Sequence, residues 1–134
     1  MAAGAVKRDP HCGPVPDAWA ADAAARAKGR VAIFNADRPD GLDGGWTMDE
    51  GIWALMREHS LATIDDLADE DGTVALKAVV DLAQERYASH ELFPKDRVRN
   101  YCTFTKVDLE ARCEVEHVPG RSPQRIMRWG PRPG

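Results

Sequence analysis

The 134-residue sequence lacks three features that would assign it to a broad class at once: many cysteines, a long apolar run and an excess of positive charge. Its three cysteines are too few for a disulfide framework, and we expect a reduced, cytoplasmic chain. No window approaches the roughly eighteen apolar residues of a membrane helix, and Met1–Lys7 is too short for a signal peptide, so we expect neither a membrane partner nor export. With a formal net charge of −4, the protein as a whole is a poor candidate for nucleic-acid binding.

What is present instead is a chain of single-domain length whose charge is unevenly distributed. Residues 1–93 carry nine Lys and Arg against seventeen Asp and Glu, a net charge of −8, whereas residues 94–134 carry nine against five, a net charge of +4. From Pro119 to the end there are four arginines and no acidic residue. This asymmetry indicates a basic surface for an anionic partner, and a solvated basic tail is the alternative.

The first third of the sequence predicts an extension ahead of the main domain. An alanine-rich helix is expected from Ala18 to about Lys28, where Gly29 ends it. The apolar run Val31–Phe34 favours a short strand, and Asp37–Gly45 is rich in loop-forming residues. We therefore expect three parts: an N-terminal arm over residues 1–45, a main domain over residues 46–130 and a tail over residues 131–134.

Helical signals begin at residue 47. The run Thr47-Met48-Asp49-Glu50 matches a capping box and predicts a helix that ends near Ser60. Thr63 and Thr73 resemble two further N-terminal caps, which predict a short helix and then a longer one to about His90. These segments together predict a compact helical core.

A basic helix and a hairpin follow the Phe93-Pro94 pair, which interrupts the helical pattern. Apolar residues at helical offsets from Val98 predict a helix over residues 95–104, and the β-branched and aromatic run over residues 101–107 leaves a strand as the alternative. Two short runs, Cys113–Val118 and Gln124–Trp129, flank a turn and predict a β-hairpin. The fold class that we expect is α+β and mostly helical, with this hairpin at the C-terminus.

This order of elements resembles the winged helix branch of the helix-turn-helix class over about residues 46–130. The segment Arg97-Val98-Arg99-Asn100-Tyr101-Cys102-Thr103-Phe104-Thr105 is similar to the recognition segment of winged helix modules in bacterial regulators and restriction-associated proteins. The resemblance implies sequence-specific binding of double-stranded DNA, as by a transcriptional regulator. It also implies that helix 95–104 enters the major groove and that hairpin 113–129 acts as the wing.

The residue types in the two basic segments fit that role by themselves. Arginine can bind guanine through two hydrogen bonds, asparagine can bind adenine in the same way, and threonine can contact a phosphate or a thymine methyl group. Cations near a hairpin tip can reach the phosphate backbone. The candidate DNA-binding residues are Arg97, Arg99, Asn100 and Thr103 in the helix, Lys95 and Lys106 flanking its outer face, and Arg121, Ser122, Arg125 and Arg128 in the hairpin.

Other functions have weaker signals. A winged helix that binds protein, for instance an adaptor in a defence or transcription complex, is the main alternative. A zinc-stabilised module built on Cys102, Cys113 and His117 is a third hypothesis, although the paired ligand spacing of structural zinc is lacking. Since no phosphate-binding loop or activated nucleophile is evident, we expect no catalytic residue, no metal and no cofactor. Trp19 and Trp53 suggest a homodimer through the N-terminal segment and the first helix of the main domain.

Overall fold

A computed structural model describes residues 16–35, 37–38, 41–94 and 97–129. Within these ranges the fold is α+β, with helices over about half of the residues and two small antiparallel sheets. The helices are α1 (Pro16–Arg26), α2 (Glu50–Leu67), α3 (Leu76–Tyr87) and α4 (Val98–Ala111). The strands are β1 (Arg30–Phe34), β2 (Leu42–Asp49), β3 (Thr73–Ala75), β4 (Val115–His117) and β5 (Arg125–Arg128).

The C-terminal hairpin forms where the sequence predicts it, and a third strand joins it. Strands β4 and β5 pair antiparallel, with His117 opposite Ile126. Strand β3 pairs with the other edge of β5, with Val74 opposite Ile126, so the sheet order is β3–β5–β4. The short strand predicted at Val31–Phe34 is also confirmed, since it is β1 and pairs with β2.

The helix starts predicted at Thr47 and Thr63 are wrong. The structure has one continuous helix, α2, where the sequence predicts a first helix to Ser60 and a second from Thr63. The Thr63 hydroxyl does not cap a helix but donates to the carbonyl of His59 one turn earlier. The helix also begins later than predicted, because Asp49 and not Thr47 accepts from the backbone N–H of Ile52.

The elements that follow are shifted along the sequence relative to the prediction. Thr73 starts strand β3 and not a helix, because its backbone N–H donates to the Asp69 carboxylate and its carbonyl accepts from the Asp69 N–H. It lies opposite Met127 of β5, and α3 begins at Leu76. Helix α4 covers residues 98–111 and not 95–104, so the alternative of a strand over residues 101–107 is wrong. The buried face of α4, which includes Val98, Cys102 and Leu109, packs into the main core and supports the longer helix.

The N-terminal elements belong to the same packed body as the later helices. Val31 and Ile33 of β1 and Met48 of β2 lie in the main core with residues of α2, α3 and α4. The boundary predicted between residues 45 and 46 falls inside β2. Gly29 follows α1 with φ of +75°, so the helix ends near the predicted stop.

A buried ionic network joins this N-terminal layer to α4. Arg112, just after α4, donates to Asp108 at 2.9 Å, to Asp22 of α1 at 3.2 Å and to the Ala32 carbonyl at 3.0 Å. The Asp108 carboxylate, fully buried, also accepts from the Trp53 indole at 2.7 Å and from the backbone N–H of Phe34 at 2.9 Å. Four elements, α1, β1, α2 and α4, therefore meet at one guanidinium and one carboxylate.

Aromatic rings surround the charged groups of this network. The Arg112 guanidinium lies 4.1 Å from the centre of the Phe34 ring and 5.1 Å from that of Trp53. Burial raises the pKa of Asp108, whereas the cation of Arg112 and the N–H donors around the carboxylate oppose that shift. At Asp22, burial acts in the same direction, but Arg112, the backbone N–H of Ala32 and the cation of Arg26 together outweigh it, and the pKa is lowered.

We predict that Asp108→Asn lowers the free energy of unfolding by about 2–4 kcal/mol, because the new amide N–H₂ faces donors and Arg112 loses a buried counter-charge. Urea unfolding followed by circular dichroism measures the change. Asp66→Asn, on the exposed surface of α2, is the matched control and should stay within about 0.5 kcal/mol of the wild type. Equal stability of Asp108→Asn and the wild type would show that the network does not hold the layers together.

Candidate nucleic-acid interface

The outer face of the first turns of α4 is open to solvent. Arg99, Asn100 and Thr103 are exposed, while Val98 and Cys102 point into the core. This is the division of faces that the sequence spacing predicts. The Thr103 hydroxyl donates to the Arg99 carbonyl at 2.8 Å. The Asn100 side chain makes no hydrogen bond within the described part of the chain. The exposed face therefore presents an amide that is available to a ligand.

Arg97 stands immediately before α4 and is also exposed. It has no ion pair with the described carboxylates, and its side chain makes no capping hydrogen bond to the helix. The predicted contact Lys95 lies outside the described residues. Arg97 is thus an available cation at the start of the outer face.

Arg99 contacts the neighbouring helix α3. Its guanidinium lies 2.6 Å from one carboxylate oxygen of Asp81, and the ammonium of Lys77 lies 2.5 Å from the other oxygen. Both cations are more than half exposed. Sequence reasoning missed Lys77 and Asp81. Their spacing of four residues was visible as a helical ion pair, but the approach of Arg99 depends on how α3 packs against α4.

Lys106 does not flank the open face, and this corrects its predicted position. Its side chain is only 9% exposed, and its ammonium lies 3.0 Å from Glu110 one turn later. Glu110 in turn lies 3.5 Å from the His117 ring on β4. Because α4 continues to Ala111 and packs its second half against other elements, this lysine is removed from the candidate interface.

The arginines of strand β5 are paired with carboxylates of the acidic body, by which we mean the part of the chain that precedes residue 94. Arg125 donates to the Thr73 hydroxyl at 2.9 Å and to Asp69 at 3.2 Å, with 24% of its side chain exposed. Arg128 makes two hydrogen bonds to Asp65, at 3.0 and 3.2 Å. Arg121 and Ser122, near the hairpin tip, are exposed. The basic hairpin inferred from charge counts is thus largely neutralised by residues 65–69.

Neither Cys102 nor Cys113 belongs to a group of metal ligands within the described residues. Cys102 is a free thiol in the core, and burial raises its pKa to about 12. Cys113 is disulfide-bonded, so the expectation that all cysteines are reduced is wrong for this residue. Among the described residues, no three His, Cys, Asp or Glu side chains are grouped as metal ligands. In the same ranges, no helix has the length and apolar character needed to cross a lipid bilayer.

Comparison with known proteins adds a family but no activity. A sequence model of a family of unknown function (DUF6958) matches residues 30–126, from β1 into β5. The match includes the candidate interface and the β1–β2 hairpin together. No curated protein and no solved structure matches the chain.

We predict that Arg125→Ala destabilises the protein by about 1–3 kcal/mol, because three donor contacts to Thr73 and Asp69 are lost. Thermal unfolding measures the loss. Arg121→Ala is the control, since it removes an exposed arginine of the same hairpin and should change stability by less than about 0.5 kcal/mol. If Arg125→Ala is as stable as the wild type, the contacts of Arg125 to Thr73 and Asp69 do not stabilise the attachment of strand β5.

Proposed function

We propose that this protein, which belongs to the family of unknown function DUF6958, is a sequence-specific double-stranded DNA-binding protein whose role is transcriptional regulation. Because the family has no known function, the proposal is argued from the candidate interface. The observation that carries the proposal is the open outer face of α4. Within its first turns this face presents an arginine, a threonine and an amide that has no hydrogen-bond partner among the described residues, and these residue types contact bases and phosphates in a major groove.

The order of elements supports the same proposal. Helix α2, strand β3, helices α3 and α4 and the β4–β5 hairpin follow one another, and β5 pairs with both β3 and β4. A winged helix has this arrangement, in which the sheet anchors the hairpin beside the helices. We therefore propose a winged helix-turn-helix topology, with α4 as the recognition helix.

The ion pairs indicate which residues of the interface contact bases and which contact phosphates. Asn100 is the base-reading residue, because its amide is exposed and adenine offers one donor and one acceptor to it. Arg97, Arg99 and Lys77 are the cations that contact phosphates, with Asp81 between the last two. If two or three of these cations are neutralised by DNA, the slope of log affinity against log salt is about −2 to −3.

The hairpin makes a smaller contribution than its sequence suggested. Arg125 and Arg128 already have carboxylate partners, which leaves Arg121 at the tip as the hairpin cation that can reach a phosphate. A homodimer through α1 remains part of the proposal, since Trp19 is 43% exposed there. Trp53 cannot contribute to it, because this side chain is buried in the core.

A second candidate function is a protein-binding adaptor with the same fold. One observation favours it: the paired cations of β5 and the carboxylates Asp65 and Asp69 leave the hairpin surface without a strong positive field. A shift assay with random duplex pools at low salt separates the two candidates. Retention of a selected duplex supports DNA binding, whereas no retention overturns it and leaves the adaptor.

We predict that Asn100→Ala weakens binding of the selected duplex by about 1–3 kcal/mol, because a base edge loses its partner, and leaves binding of random duplex nearly unchanged. Fluorescence anisotropy at fixed salt measures both affinities.

Gln124→Ala is the control for this prediction, because it removes an exposed amide from the hairpin instead of the helix. It should alter neither affinity. An equal loss for selected and random duplexes in Asn100→Ala would contradict base reading by this residue.

A further inference from the structure

Two cations from different helices converge on one carboxylate at the edge of the candidate interface. The ammonium of Lys77 in α3 lies 2.5 Å from Oδ2 of Asp81, and the guanidinium of Arg99 in α4 lies 2.6 Å from Oδ1. The Asp81 side chain is 38% exposed, so water and ligands reach the group. The two positive groups therefore face a single anionic position that is accessible from outside.

A phosphate could take the position of the Asp81 carboxylate. Phosphate and carboxylate both present adjacent anionic oxygens, and arginine and lysine bind either group through charge-assisted hydrogen bonds. Arg99 stands beside Asn100 on the open face of α4, so a DNA strand read by the amide would carry its backbone near this position. The arrangement is that of a phosphate cradle filled by a side chain of the protein.

Asp81 keeps its negative charge at neutral pH. Hydrogen bonds from Lys77 and Arg99 hold the pKa of its carboxyl below the ordinary value of an aspartate. Protonation therefore does not release the two cations near neutrality, and another anion must displace the carboxylate. The displaced Asp81 then stands close to a phosphate, and this like-charge approach lowers affinity.

We propose that Lys77 and Arg99 form a phosphate-binding cradle for the DNA backbone, and that Asp81 occupies this cradle in the free protein and limits its affinity for DNA. This inference rests on the proposed function and adds to it one phosphate position that Lys77 and Arg99 share and an internal competitor for that position, Asp81. The contact is an exposed ion pair, which is weak enough for a polyanion to displace. The affinity for unselected DNA sequences is thereby reduced, whereas selected sites still bind because they also make base contacts.

The test is the full-length Asp81→Asn variant, assayed by fluorescence anisotropy with a random duplex between low and moderate salt. We expect affinity to rise about three- to tenfold at low salt and the log–log salt slope to become steeper by about one. Lys77→Ala placed in the Asp81→Asn background should remove most of that gain. The same Lys77→Ala change in the wild type should lower affinity by a smaller factor than it does in the Asp81→Asn background, because Asp81 already offsets part of that charge.

Glu85→Gln is the matched control, since it removes one negative charge from α3 one turn after Asp81. Glu85 is exposed and pairs with no cation in the described part of the chain. This variant should gain less than about twofold, because it changes net charge without opening the cradle. Circular dichroism of each variant verifies that the fold is kept.

The outcomes separate this inference from the proposed function. Binding by the wild type with no gain in Asp81→Asn, or with an equal gain in Glu85→Gln, overturns the cradle and leaves DNA binding in place. Absence of binding by both the wild type and Asp81→Asn at low salt overturns the proposed function and the cradle with it. A gain confined to Asp81→Asn and reversed by Lys77→Ala supports both.

Discussion

The buried guanidinium of Arg112 is the point on which the arrangement of the two layers depends. It connects Asp108 of α4 to Asp22 of α1 and stacks on Phe34 of β1, so the N-terminal layer is fixed to the helix that carries the candidate interface. A guanidinium can do this because its planar fork satisfies several acceptors at once while its faces contact aromatic rings. The N-terminal layer covers the second half of α4 as a result, whereas the outer face of the first turns of α4 is exposed to solvent.

Charge complementarity within the chain explains why the described residues of the basic C-terminal third do not form a broad basic surface. The segment from Asp65 to Asp69 receives the arginines of β5, and Asp81 receives Arg99. The acidic body is thus a partner for the basic segment before any external ligand is considered. In the part of the chain that the structure describes, what remains for a ligand is a small face with an amide at its centre and few free cations, which suits selective binding better than strong nonspecific attraction.

Local patterns in the sequence predicted the elements whose stabilising contacts are local, and missed those that depend on distant residues. The hairpin and the buried face of α4 follow from periodicity and turn residues, as expected. The helix starts predicted at Thr63 and Thr73 are wrong because a threonine that caps a helix has the same sequence signature as one inside a helix or at the start of a strand. The ion pairs of Arg125 and Arg128 bridge 56 and 63 residues, a separation at which spacing carries no information. Arg112 stood out in no motif, although the structure depends on it.

We infer that a ligand contacts this protein on the outer face of the first turns of α4 while the β5 arginines stay paired with Asp65 and Asp69. Titration of the ¹⁵N-labelled protein with a selected duplex, followed by amide chemical shifts, distinguishes this surface from the hairpin. We expect the largest shifts at Asn100 and Thr103 and at Lys77 on α3, with strands β4 and β5 unchanged. Shifts centred on β5, or none on α4 at a duplex concentration that saturates binding, would overturn this inference.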